Sequence, residues 1–530
     1  VEGGAVLKEV SGGKLILKRS QMSGRITVKM TVSNGGAESV AEAVIEVTEP
    51  KTDAWVERIP GKEEQPEEKQ FYARNDRGEG RLFYNGKVGV GVESVFLRVY
   101  ADEKLVKTEV QKPQADGSYG FSVGLKAGMI GYKVEFGTKT GGVEKLERTV
   151  GDLICGDAYI IEGQSNAEAS GPNNGPTVDA PTRWSRWVRS YGNSLEGSVK
   201  GGWGDAVRTR IWGKPDYGFA QIGTWGMVLA NGLVEKYGIP ICVINGAYGG
   251  TPIFLHQRNP GNHFDTSGAI YGNPYKIYGG LLTRVTGAKL THGIRGVIWH
   301  QGENDQGSGA PTGDYNWKSY QDYFVEMSAA WKEDFPNIQN YYIFQIWPSG
   351  CNMGGTNAGD MLLEVQRTMP RLFSRMRVMS TLGIVSKSSG RGLCHFDEEG
   401  YAQMAQLMSP VIEQDHYGLD RAKILTAPNL VRGYFTNGER KELVMEFDQP
   451  MVWKEENKAW IELDGKVAKI TGGKAEGNRL VLGMEGGGEA KKLGYLSGKS
   501  WDGKADRLIY GVNGIAALSF SGVEIGVEKK

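Results

Sequence analysis

Apolar and polar positions change rhythm along this chain, and each change predicts a different kind of element. Residues 1–50 alternate with the period of two that makes a half-buried strand. Arg25-Ile26-Thr27-Val28-Lys29-Met30-Thr31-Val32 runs into Ser33-Asn34-Gly35-Gly36, and Ala43-Val44-Ile45-Glu46-Val47 alternates again, which predicts a β-hairpin. The stretch is too short for a complete sandwich, so 1–50 reads as a partial β (Ig-like) segment. Residues 51–70, with Glu63-Glu64-Gln65-Pro66-Glu67-Glu68-Lys69, read as a charged linker. Over 71–150 the strands are short, at 94–100, 119–123 and 132–136, with Asp116-Gly117 as a hairpin turn. That spacing fits an Ig-like sandwich.

From 151 to 420 strands alternate with helical periods. Ile241-Cys242-Val243-Ile244-Asn245 and Gly296-Val297-Ile298-Trp299 are apolar strand runs. A helix is predicted over 225–237, ending near Gly238, and another over 320–331, stopped before Pro336. A further strand follows at 341–346, and an amphipathic helix after His395. Alternation of this kind implies a parallel sheet covered on both faces. The Gly-, Trp- and Arg-rich stretch 169–223 is long enough to be a functional loop. Residues 421–530 return to short strands at 443–447, 459–463 and 479–482, with a tight turn at Leu463-Asp464-Gly465.

Composition narrows the partners. The 530 residues carry 62 Lys plus Arg against 62 Asp plus Glu, which gives no basic surface for nucleic acid. No window reaches the roughly 18 apolar residues of a membrane-spanning helix. The chain starts at Val1 without a leader, which reads as a mature or trimmed form. Cys155 and Cys242 lie in apolar runs and read as buried thiols, whereas Cys351 and Cys394 lie in loops and could pair, which would imply an oxidising compartment. No zinc spacing, HExxH, EF-hand, Walker or dinucleotide signature occurs, so no metal or other cofactor is expected. The 78 glycines and abundant aromatics suit either sugar faces or β-rich packing.

The chemistry gathers where strands end. Tyr159-Ile160-Ile161-Glu162 stops at Gly163-Gln164-Ser165-Asn166; Gly249-Gly250-Thr251 follows the strand at 241–245; His300-Gln301-Gly302-Glu303 follows Trp299. Sites in open α/β sheets form beyond the carboxyl ends of strands. A serine needs a base, an orienting group and oxyanion donors to act as a nucleophile, and these residue types supply them, which points to acyl transfer. Ser165 is the candidate nucleophile, although an isolated serine in a turn is ordinarily a cap. His395 is the candidate base, with an unperturbed pKa of about 6.5 suited to proton transfer. Among the other five histidines, His256 and His263 could contact substrate, and His416 reads as a solvated helix cap beside Asp415.

These four blocks, with His395-Phe396-Asp397-Glu398-Glu399-Gly400-Tyr401 as the last, resemble in order those of the SGNH hydrolase superfamily, in particular its sialate O-acetylesterase and acetylxylan-esterase-like branch. The resemblance implies a flavodoxin-like three-layer α/β/α hydrolase domain over 151–420. It would be flanked by the Ig-like module over 71–150 and a β-rich accessory domain over 421–530, with Val512 to Phe520 resembling the closing strand. It implies a secreted or periplasmic bacterial enzyme that releases acetate from acetylated glycans of the sialate or plant-polysaccharide kind. In roles, it implies Ser165 attacking the ester, His395 shuttling the proton, and the N–H groups of Ser165 and Gly250 with the Gln301 amide donating to the oxyanion. Gln164 and Asn166 would contact substrate. The superfamily's Asp three residues before the histidine is Gly392 here, so Glu303 is expected to orient His395, with Asp305 and Asp397 as rivals or a dyad as the alternative. Two other readings stay open: a non-catalytic carbohydrate-binding protein on this scaffold, and a lipid esterase or thioesterase. The stretches 169–223 and 254–278 are expected to decide the substrate.

Overall fold

The computed structural model describes residues 5–528 apart from 12–13, 20–23, 49–52, 170–183, 193–200, 209–220, 308–316, 349, 353–356, 374, 385–393, 487 and 498–504. Six parallel strands carry the centre of the molecule: β1 (Val143–Gly163), β2 (Val188–Tyr191), β3 (Ile241–Asn245), β4 (Ile294–His300), β5 (Asn340–Gln345) and β6 (Met376–Ser380). They lie in the order β2-β3-β1-β4-β5-β6. Every residue of β3 and β4 is buried, as expected of strands covered on both faces. The helices are α1 (Ser165–Glu168), α2 (Thr224–Tyr237), α3 (Lys276–Gly287), α4 (Trp317–Asp334), α5 (Asn357–Thr368) and α6 (Glu398–His416). Helix α2 closes on Gly238 in the left-handed conformation, at φ 63°, as the sequence predicts.

Strand β1 sets the topology. From it the chain passes to β2 and β3 on one side and later to β4, β5 and β6 on the other. The order of strands therefore reverses at β1, and a crevice opens beyond its carboxyl end. The first half of β1 pairs antiparallel with Gly128–Thr140, while its second half joins the parallel sheet. One 21-residue strand thus runs from the N-terminal β layers into the central sheet without a linker.

In those N-terminal layers, Glu79–Lys87 and Ser118–Lys126 form a sheet that faces Ser94–Ala101, Lys104–Gln111 and Gly128–Thr140. Leu82, Val99, Phe121 and Val134 fill the space between as a core of their own. The turn at Asp116-Gly117 is present, but it does not join a hairpin. Ser118–Lys126 crosses to pair with Glu79–Lys87, because its inward residues complete the facing layer. The predicted hairpin near the N-terminus is Gly24–Ser33 paired with Glu38–Val47.

Three expectations need correction. Residues 53–70, read as a charged linker, are fastened to the central domain: Val56 N–H and C=O both bond the Asn337 side chain, and Asp53 pairs with Lys332 and Arg375; within the segment, Glu64 is buried against Arg58. The stretch 169–223 contributes β2 and an antiparallel edge at Trp203–Asp205; its other residues lie mostly outside the described ones. At the C-terminal end, Glu455–Trp460 is a 3-10 helix that leaves only Ile461–Leu463 as strand, and the closing strand is Phe520–Val527 rather than 512–520. That strand runs beside Leu430–Phe435, and Gln345 of β5 bonds both the N–H and the C=O of Ser519, stitching the β-rich region to the central sheet.

The amino ends of the strands are built for stability. Asp157 is fully buried in β1 between Arg74, at 2.8 and 2.7 Å, and Arg295, at 2.9 Å. Burial alone would raise its pKa; Arg295 and Arg74 outweigh that and hold it below the usual range. Asp157→Asn leaves two buried guanidiniums short of charge, a loss on the order of 3–5 kcal/mol. The expected result is a markedly lower melting midpoint, checked by calorimetry, with kcat retained by the molecules that stay folded.

Candidate active site

The carboxyl end of β1 turns sharply. Gly163 adopts φ 134°, and a Cβ there would lie 2.1 Å from His300 O, so glycine is required. The turn is pinned by Gln164 N–H to His300 O at 3.0 Å and by Tyr248 N–H to Gly163 O at 2.9 Å. Ser165 opens α1 immediately beyond, and His395 approaches from the segment ahead of α6. Nε2 of His395 and Oγ of Ser165 are 2.9 Å apart across 230 positions of sequence. The serine hydroxyl donates when the imidazole carries its proton on Nδ1. The N–H groups of Ser165 and Gly250 have no acceptor among the described residues. Gly250, at φ 73°, sits beside Gly249, whose Cβ position is 3.5 Å from that of Ser165.

Asn166 faces inward rather than toward an open surface. It is buried, and its amide donates to Glu303 Oε1 at 2.8 Å and to Cys394 O at 2.9 Å, while Tyr401 O–H donates to its Oδ1 at 3.1 Å. It thereby clamps the serine turn, the Glu303 loop and the residue before His395 together. Gln164 is also buried: its Nε2 donates to Asn304, and its Oε1 accepts from Gln301 and from the N–H groups of Gly302 and Asn304. Both were expected to face substrate. Their amides instead satisfy buried polar groups that would otherwise be costly.

Gln301 is likewise turned inward. Its Nε2 donates to Asp305 at 2.5 Å, Thr251 O at 3.0 Å and Gln164 Oε1 at 3.2 Å, so no hydrogen is left for an oxyanion. Glu303 is buried, bonds Asn166, and lies 3.7 Å from Nδ1 of His300. Among the described residues its carboxylate bonds Asn166 and not His395, contrary to the expectation of direct orientation; it reaches the histidine segment through Asn166, which also bonds Cys394 O. His300 is enclosed by Phe344 and Phe396, and burial pushes its pKa down. Of the two rivals, Asp305 accepts from Ile253 N–H and Gln301, with burial pushing its pKa up to about 7, and Asp397 caps α6 through Gly400 N–H at 2.8 Å. Gly392 lies outside the described residues.

A disulfide joins Cys351 to Cys394, next to His395, while Cys155 and Cys242 are buried free thiols. It ties the histidine segment to the loop beyond β5. His256 is buried rather than exposed to substrate, and His263 lies 3.6 Å from Asp334. His416 is not a solvated cap: it packs beside Tyr159 and Tyr342, bonds the Tyr342 hydroxyl at 2.8 Å, and burial lowers its pKa to about 3. Sequence reasoning missed Glu162 altogether, although an acid inside an apolar strand is itself a sign of a buried partner.

Residues 155–411 match the family described as carbohydrate esterase, sialic acid-specific acetylesterase. The match spans a little under half of the chain, and the family it points to is one of carbohydrate acetylesterases, which are carboxylic ester hydrolases. A carbohydrate acetylesterase from Xanthomonas citri shares the fold, with 16% identity over 86% of this chain and 97% of its own, and a TM-score of 0.53. A protein from Arabidopsis thaliana aligns at 17% identity over 49% of this chain and 98% of its own, with a TM-score of 0.36. NanS aligns at 14% identity over 49% and 98%, also with a TM-score of 0.36. None of the curated protein sequences matches.

Proposed function

We propose that Ser165 is the nucleophile and His395 the general base of this esterase, and that the N–H groups of Ser165 and Gly250 receive the oxyanion. The 2.9 Å contact between Oγ and Nε2 carries the reading. As Oγ attacks the acetyl carbonyl, His395 takes the hydroxyl proton, and the carbonyl oxygen becomes an alkoxide held by the two N–H groups. Collapse breaks the bond to the sugar oxygen, which leaves with the proton from His395. Water then repeats the sequence on acetyl-Ser165, with His395 again as base, and acetate departs. Asn166 and Glu303 position the histidine segment, and no cofactor enters these steps.

On the same reading, 71–150 is an Ig-like sandwich and 421–530 a β-rich accessory domain around a three-layer α/β/α catalytic domain at 151–420. The Cys351–Cys394 bond fits a secreted or periplasmic setting. The substrate is an acetylated glycan of the sialate or plant-polysaccharide kind. Tyr271 is the ring placed to meet it: 68% exposed, with its hydroxyl 3.3 Å from Gly250 O, it stands at the rim beside the proposed oxyanion site.

The test is acetate release from O-acetylated sialic acid and from O-acetylated xylan, beside p-nitrophenyl esters of increasing acyl length. Acetyl should be preferred, which separates this reading from a lipid esterase. Tyr271→Ala should lower kcat/KM for the glycan about two- to twelvefold, the equivalent of the roughly 0.5–1.5 kcal/mol of such a ring contact, and leave p-nitrophenyl acetate unaffected. No acetate from any ester, with no labelling of Ser165 by a fluorophosphonate, would return the protein to a glycan-binding role.

A further inference from the structure

A second hydroxyl–imidazole–carboxylate line lies entirely inside the protein, close to the first. Glu162 is the last side chain of β1 before Gly163, Thr251 directly follows Gly250, and His256 lies between them; all three are buried. Glu162 Oε1 is 2.7 Å from His256 Nδ1, and His256 Nε2 is 2.8 Å from Thr251 Oγ1. Thr251 Oγ1 in turn donates to Tyr248 O at 2.6 Å, so the line spans the turn 248–251 that carries Gly249 and Gly250. Thr251 shows no surface and cannot meet substrate. We propose that Glu162, His256 and Thr251 form a buried strut, sharing one proton, that fixes the Gly250 N–H where the oxyanion develops. They are positioning residues, and the inference rests on the reading of Gly250 given above.

Counting hydrogens gives the strut its chemistry. Thr251 has one, and it goes to Tyr248 O, so His256 Nε2 must donate to Thr251. One further proton must lie between Nδ1 and Glu162, either on the ring or on the carboxyl. Without it, a carboxylate would face a bare nitrogen lone pair. The ring would then shift its proton to Nδ1, and Thr251 would have to turn its own toward Nε2, releasing Tyr248. The strut therefore holds while the pair keeps its proton and slackens at alkaline pH. The charged and titratable groups around it are Arg284 of α3, whose guanidinium bonds Asn245 O and acts on Glu162, and Asp305, which holds Ile253 N–H at the other end of the same segment. The Trp299 ring of β4 meets His256 edge-on at 5.3 Å and keeps water away. Burial raises the Glu162 pKa, which works in favour of a proton held between the pair.

Glutamine at position 162 distinguishes this from a merely structural pair. Its amide N–H can donate to Nδ1 while Nε2 still donates to Thr251, so the pattern survives with no proton to lose. With p-nitrophenyl acetate, Thr251→Val and His256→Ala should lower kcat about 10- to 100-fold with KM within about twofold, short of the roughly 10²–10³ for losing a whole oxyanion donor. Glu162→Gln should stay within about threefold of wild type and lose the alkaline fall in kcat. Asp305→Asn is the control, since an alkaline limb that vanished there instead would belong to Asp305 and overturn the proposal. A kcat within twofold for both Thr251→Val and His256→Ala would overturn it as well. Nitrogen-15 spectra of labelled His256 supply a readout without turnover: the Nε2–H signal should be present in wild type and in Glu162→Gln, and altered in folded Thr251→Val. A histidine protonated only on Nδ1 in wild type would sink the strut. Wild-type enzyme that neither releases acetate nor takes a fluorophosphonate would sink the nucleophile reading instead, with the spectra still judging the strut.

Discussion

Ser165→Ala, His395→Ala and the double variant are expected to lose nearly the same amount of kcat, on the order of 10⁴- to 10⁶-fold, rather than the double losing the product of the two. The scale is that seen when nucleophile or base is removed from other serine hydrolases. The reason is the single contact at 2.9 Å between Oγ and Nε2. A serine hydroxyl without a base attacks too slowly to matter, and a histidine without the hydroxyl has no proton to take. Once either is gone, what remains is binding and the two backbone donors, which neither substitution removes. Acetate release by the purified variants, with melting midpoints as a folding control, measures this. Single losses of only a few fold, or losses that multiply in the double variant, would mean that the two side chains do not act as one unit.

Much of the fold was legible because periodicity reports burial. The strands at 241–245, 294–300 and 340–345 are built around apolar runs at 241–244, 296–299 and 341–344, which is what two covered faces demand, and Gly238 marks the end of α2 for a steric reason. What the sequence left out depends on distant contacts. Nothing in Asp116-Gly117 says whether the next strand folds back or crosses to Glu79–Lys87. Nothing in the charges of 51–70 says that Val56 meets Asn337, 281 positions away. Strand β2, inside a stretch read as loop, is held by its pairing with β3 rather than by its own propensity.

The site divides in the same way. Ser165 and His395 could be read because the residue types needed for acyl transfer are few and stand at strand ends. The direction of an amide cannot be read, since it depends on which acceptors surround it. Gln301, Gln164 and Asn166 all stand in the right blocks, yet each turns its hydrogens inward because the loops around Ser165 bury polar groups that need partners. Of the residues that fix those loops, Thr251 stands in the glycine block and His256 reads from the sequence as a substrate contact, but nothing in either points to a buried role, and Glu162 carries no motif at all. Only the incongruity of an acid in an apolar strand points to Glu162.

Asn166→Ala is therefore expected to cost more than Glu303→Gln, the reverse of what a direct carboxylate–histidine pair would give. Removing the Asn166 amide breaks its bonds to Glu303 and to Cys394 O, leaves the Tyr401 hydroxyl without its acceptor, and strands a buried carboxylate. It also frees the residue before His395, and a shift of about 1 Å there is worth about 10² in rate. A fall in kcat of about 10²- to 10³-fold should follow, with a lower melting midpoint. Glu303→Gln keeps a carbonyl oxygen for Asn166 to donate to, and its new N–H₂ takes the place of Oε2, which has no partner among the described residues. The loss there should stay below about tenfold. An orienting carboxylate in direct contact with the base behaves otherwise: its amide fixes the wrong tautomer and loses about 10⁴ in kcat. Measured side by side on p-nitrophenyl acetate, a large loss for Glu303→Gln with a small one for Asn166→Ala would place Glu303 on His395 itself. The opposite order would assign the histidine's placement to the asparagine clamp and the disulfide beside it.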